Sequence, residues 1–138
     1  MNVAAEPLMT MTIETGVRER LLLVVVGGEF SLSEGMRTFR EVVDALIEHK
    51  CERVLFDGRT ISGDPPSIIR FYYGEFAANY IQRLRQKGSL LFNPEFAYVL
   101  VPPVLDARRL GEVVANHRGM NVRAFDDLEA ATRYLEID

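Results

Sequence analysis

The sequence predicts an α/β fold, with elements in the order β-β-α-β-α-β-α-β-α. They form a mixed, mostly parallel five-stranded sheet with one antiparallel edge strand. Three observations carry that expectation. After residue 30, short apolar runs alternate with longer segments of 3.6-residue periodicity, the pattern of strands joined by crossover helices. Leu21–Val26 is continuously apolar, as a strand covered on both faces must be. Gly88 and Gly119 stand where helices stop, and serines and acids stand where helices start.

Residues 1–8 read as a flexible leader and 9–138 as a single domain. Met9–Thr15 alternates apolar residues with Thr and Glu, which gives an edge strand. Gly16–Arg20 reads as a turn, so this strand and Leu21–Val26 make an antiparallel hairpin, closed by Gly27-Gly28. Ser31 and Glu34 have capping-box spacing. The helix they open places Met36, Phe39, Val42, Val43, Leu46 and Ile47 on one face, and His49 and Lys50 close it. Arg53–Phe56 is the third strand. Asp64 then reads as an N-cap and Pro65 as the first residue of a helix running to about Lys87. Arg83, Arg85 and Lys87 at its end suit the dipole there. Phe96–Val101 is the fourth strand, ended by Pro102-Pro103. A helix from about Asp106 buries Leu110, Val113 and Val114. Asn121–Phe125 is the fifth strand, and Asp126 or Asp127 caps a last helix with Leu128, Ala131 and Leu135 inward.

A chain of 138 residues buries about 70% of its unfolded surface, enough for a core without staples. A net charge of −4 leaves no general basic face, so nucleic acid is not an expected partner. The single cysteine, Cys51, forms no internal disulfide and fits a reducing compartment. No apolar run approaches the roughly 20 residues of a membrane span, and no basic segment followed by an apolar one marks a signal peptide. The expected location is the cytoplasm, with no stable membrane insertion. No P-loop, dinucleotide fingerprint or nucleophile elbow is present. His49 and His117 lie at two different helix ends without partners at metal spacing. The expectation is a chain with no catalytic residues, no metal and no cofactor.

Three stretches carry a resemblance. They are the helix opening after Gly28-Glu29-Phe30, the strand ending Val54-Leu55-Phe56-Asp57, and the tail from Val113 through Asn116-His117-Arg118-Gly119 to Phe125, followed by Glu129–Leu135. In this order they resemble the SpoIIAA-like (STAS/SEC14-like) domains. The resemblance implies a small mixed sheet with helices mainly on one side. It also implies one of two roles. Anti-anti-sigma members are phosphorylated on a serine in an Asp-Ser-Ser-Gly-like motif at the start of the helix after the third strand, and exchange partners with a kinase. SEC14-like members bind lipid or another apolar ligand. This chain departs from the signalling motif, because its acid follows Ser62-Gly63 and two prolines precede Ser67.

Two regions concentrate candidate residues. The first is a loop expected over 57–67, with Asp57 at a strand's carboxyl end. Ser62 and Ser67 are its phosphorylation candidates and Thr60 a third; the same residues also serve as ordinary turn and cap formers. The second is the helix 65–87. One face buries Ile69, Tyr72, Tyr73, Phe76, Tyr80 and Leu84, so Ile68, Phe71 and Ile81 need another place. Gly74 and Ala78 permit close approach of another helix, and Leu90, Leu91 and Phe92 form a second wall. Asp57, Ile68, Phe71, Tyr72, Phe76, Tyr80 and Phe92 make up the candidate ligand or interface surface. The resulting reading is a non-enzymatic binding or regulatory domain. It contacts a protein partner or an apolar small molecule through 65–87, and works as a homodimer. The alternatives are a phospho-switch on Ser62 or Ser67, and an enzyme using Asp57.

Overall fold

A computed structural model describes residues 10–136. The leader expected over 1–8 and the strand start at Met9 lie outside them. The elements are β1 (Met11–Arg18), β2 (Leu21–Glu29), α1 (Leu32–Glu48), β3 (Arg53–Ser62), α2 (Ser67–Gln86), β4 (Glu95–Val99), α3 (Leu110–His117), β5 (Asn121–Phe125) and α4 (Leu128–Tyr134). The sheet runs β1-β2-β3-β4-β5. β1 is antiparallel to β2, and the other pairs are parallel. Each crossover moves one strand along in the same direction, so connections of one hand put α1, α2 and α3 on one face. Among the described residues only α4, after the last strand, packs on the other. This is the mixed, mostly parallel five-stranded α/β arrangement with an antiparallel edge strand that the sequence predicts.

Strand alternation sends residues to two cores. Leu22, Val24, Val54, Phe56 and Phe96 meet Phe39, Val43 and Leu46 of α1 and Ala77, Ala78 and Ile81 of α2. Leu21, Leu55, Ala97 and Val99 meet Ala131 and Leu135. The second cover is smaller than expected. The seven-residue α4 reaches β3, β4 and β5, so Leu23 and Val25 of β2 stay exposed and on that face the strand is buried only at Leu21.

Several boundaries move. β1 continues through Gly16, and Glu19, in the left-handed region, makes the turn with Arg20. Gly27-Gly28 lies within β2, where a Cβ on Gly28 would sit 2.0 Å from the Thr10 carbonyl. β3 runs on through Asp57 to Ser62. Its extra residue at Gly58-Arg59 is taken up by a bulge, after which Thr60–Ser62 pair with Gly27–Glu29. The loop expected over 57–67 shrinks to 63–66. α2 starts at Ser67 with Pro66 as N-cap, because Pro66 keeps Pro65 out of helical conformation. Asp64 instead pairs with Arg70 at 3.0 Å. α3 starts at Leu110 rather than Asp106, whose carboxylate accepts from the Leu110 N–H at 3.2 Å. Its buried residues are Val114 and Ala115, while Val113 is exposed. β4 ends at Val99.

The buried face of α2 is the largest correction. Its fully buried residues are Gly74, Ala77, Ala78 and Ile81; of the expected set Tyr73, Phe76, Tyr80 and Leu84 pack half-buried against the same core, and Tyr72 points outward. The close approach that Gly74 permits is to α3 of the same chain: a Cβ there would lie 2.5 Å from the Gly111 carbonyl oxygen. Gly74→Ala is therefore expected to lose about 1–3 kcal/mol in urea unfolding despite alanine's better helix propensity. A neutral result would mean that α2 and α3 can separate without cost.

Candidate functional site

A half-open cavity of about 120 Å³ lies between the sheet and the α2–α3 layer. It exists because the elements around it contribute small side chains. Gly74 and Ala77 of α2, Ala115 of α3 and Ala124 of β5 line it. Larger walls come from Phe56 and Tyr98, stacked at 4.1 Å. The Tyr73 and Tyr98 hydroxyls meet inside at 2.9 Å. Burial pushes the Tyr73 phenol up to about 12 and the Tyr98 phenol well above its ordinary value, so both stay neutral.

Arg70 closes one side. Its side chain is only 10% exposed. Nε donates to the Pro65 carbonyl at 2.8 Å, and the terminal nitrogens donate to the carbonyls of Pro103 (2.8 Å) and Val104. Asp64 at 3.0 Å and Asp106 at 3.5 Å supply charge. The guanidinium thus staples the start of α2 to the β4–α3 connection. Farther round, Arg109 donates to the Ala124 carbonyl, and the Glu112 carboxylate accepts from the Ala124 N–H at 3.1 Å. Neither Arg70 nor the tyrosine pair stood out in the sequence. The signal was present: Arg70 is a lone charge in the apolar first turns of its helix, and Tyr98 interrupts an apolar strand with a hydroxyl.

The expected site residues separate into five places. Ser67 is exposed at the first residue of α2, with Ile68 (54% exposed) and Tyr72 (45%) on the outer face beside it. Phe71 belongs to the same end, half-buried, with the Arg118 guanidinium 5.5 Å from its ring centre. Phe76 and Tyr80 face inward instead. They stack on each other at 5.6 Å and meet Phe39 of α1, each at 6.2 Å. Phe92, in the connection to β4, packs on the core, and Leu90 is buried beside it while Leu91 is exposed. Asp57 points the other way. It shares its register position with Val25 and its sheet face with Leu55, across the sheet from the cavity. Arg59 grips it through two bonds of 2.9 and 2.8 Å, and the guanidinium holds the carboxyl below its usual range. Asp57 is brought near neither serine candidate's helix nor the aromatic set. Ser62 ends β3, exposed, with its carbonyl accepting from the Phe30 N–H at 2.9 Å. Asn116, near the end of α3, donates to the carbonyls of Glu112 and Val122, both at 2.9 Å.

Among the described residues, no three or more His, Cys, Asp or Glu gather as a metal would require, and no helix is long and apolar enough to cross a membrane. No family model matches the chain, and no curated protein matches it. Among solved structures, an anti-sigma factor antagonist from Mycobacterium paratuberculosis is similar, with 13% sequence identity and a TM-score of 0.59. The likeness covers 96% of this chain and 98% of that one. At that identity it speaks for the fold.

Proposed function

We propose that the chain is a non-enzymatic regulatory domain that binds a protein partner through the start of α2, in the manner of an anti-sigma factor antagonist. The observation that carries this reading is the position of Ser67: exposed, and first in a 20-residue helix with no side-chain cap. The Ile69 and Arg70 amides turn back to the Pro66 carbonyl, whereas those of Ser67 and Ile68 have no partner within the helix by position. The full-length likeness to the antagonist supports the same reading. Ile68, Phe71 and Tyr72 offer an apolar contact on one helix face next to that hydroxyl. A kinase would transfer the γ-phosphoryl group of ATP to the Ser67 oxygen, releasing ADP and the hydroxyl proton. The phosphate would be held by the free amides and the helix dipole, and its charge would oppose apolar docking beside it. A cytoplasmic location fits such a partner.

The test is calorimetric titration of the chain with each anti-sigma-type kinase of its own host. One should bind, and Ser67→Asp should weaken that complex about 100-fold while Ser67→Ala binds but accepts no phosphate. If none binds, or if Ser67→Asp binds as well as the parent, this reading fails. If sedimentation shows a dimer that Ile68→Glu dissolves, the patch belongs to a second copy instead.

A further inference from the structure

We propose that the cavity beneath α2 and α3 binds a small, uncharged, ring-sized molecule carrying one hydrogen-bond acceptor, held by the Tyr73–Tyr98 hydroxyl pair. This site lies inside the fold and stands independently of any partner at the start of α2.

Size is the first argument. Close-packed interiors hold few voids larger than a water molecule. One of about 120 Å³ is close to the roughly 150 Å³ apolar cavity that takes up benzene in another protein. The cavity is half-open, so its apolar walls face water when it is empty, and an apolar occupant releases that water. The walls are apolar apart from a few groups, and most of those are committed. Arg70 is bound to three carbonyls and two carboxylates. Asp106 serves Arg70 and the Leu110 amide, and Glu112 serves the Ala124 amide. With its charged wall groups paired among themselves, the cavity offers a charged ligand no free counter-ion, which selects a neutral one.

The hydroxyl pair sets the polarity. Two phenols carry two protons, and a single contact at 2.9 Å uses one of them. The accepting phenol keeps its own O–H, and both rings line the cavity. Both residues line the cavity and Tyr98 is 7% exposed, which leaves the cavity as the space in which a ligand's acceptor would meet that proton. A buried donor of this kind favours an occupant with one acceptor oxygen. The raised phenol values keep the pair protonated, hence donating, across the physiological range.

The test uses the full chain with two probes of similar size, benzene and cyclohexanone, followed by saturation-transfer NMR. Both should bind, with cyclohexanone the tighter. In the double variant Tyr73→Phe/Tyr98→Phe, cyclohexanone should weaken about fivefold while benzene holds its affinity. Ala77→Leu, which fills the space, should abolish both; Ala124→Leu serves the same purpose if the first variant does not fold. Failure of both probes to bind the parent overturns the proposal, as does binding that survives the filled variants. Equal loss of both probes in the double tyrosine variant overturns the acceptor requirement.

Discussion

Arg70→Met is expected to destabilise the fold by about 3–5 kcal/mol in denaturant unfolding. Methionine matches the stem's apolar bulk but supplies no donors. The guanidinium now satisfies the carbonyls of Pro65, Pro103 and Val104, two of which belong to prolines whose own nitrogens carry no hydrogen. Losing it strands the Pro65 and Val104 carbonyls, leaves that of exposed Pro103 to water, and takes the cation from Asp106, which keeps only the Leu110 amide. The Asp64 pair adds little, because that carboxylate is largely exposed. Arg70→Lys should recover only part of the loss, since an ammonium cannot spread its donors over segments on two sides as a planar fork does. Hydrogen exchange should show the damage concentrated in 64–70 and 103–110, while the β2–α1 region keeps its protection. A loss under about 1 kcal/mol would mean that the two segments are held together by packing alone.

How much of this was legible depends on whether the information was local. Helix α1 was readable almost to the residue. Ser31 caps Glu34 through its hydroxyl at 3.3 Å, and the apolar face at 3.6-residue spacing is the buried one. Likewise Asp127 caps α4 through both carboxylate oxygens. The second half of β3 was not readable, because Asp57–Ser62 are strand only by pairing with Gly27–Glu29, some 30 residues away. Reading those residues as loop in turn misplaced Asp57. Carried on as strand, simple alternation from Leu55 would have put it on the α4 face. In α2 the large side chains misled. A hydrophobicity pattern weights tyrosine and phenylalanine heavily, yet a helix packed closely on another needs small residues at the contact, and here those are Gly74, Ala77 and Ala78. The aromatic stripe is split between solvent and the α1 seam. The cavity is a product of the same small residues, and no one-dimensional pattern reports empty space.

The seam yields the second large effect. Phe39→Ala is expected to lose about 3–5 kcal/mol. Phe39 is fully buried. Its ring centre lies 5.8 Å from that of Phe96 and 6.2 to 6.3 Å from those of Tyr73, Phe76 and Tyr80, the last three edge-on. Truncation removes the common partner of rings from α2 and β4, and neighbours on two rigid elements cannot collapse fully into the gap. Phe39→Leu keeps most of the volume and should cost about half as much. The same site decides what Phe76 does. Paired with Phe39 across α1 and α2, Phe76→Ala and Phe39→Ala should couple by about 0.5–1.5 kcal/mol in a double-mutant cycle. Were Phe76 a surface residue awaiting a partner, the two losses would simply add, and the inward assignment of Phe76 and Tyr80 would have to be withdrawn.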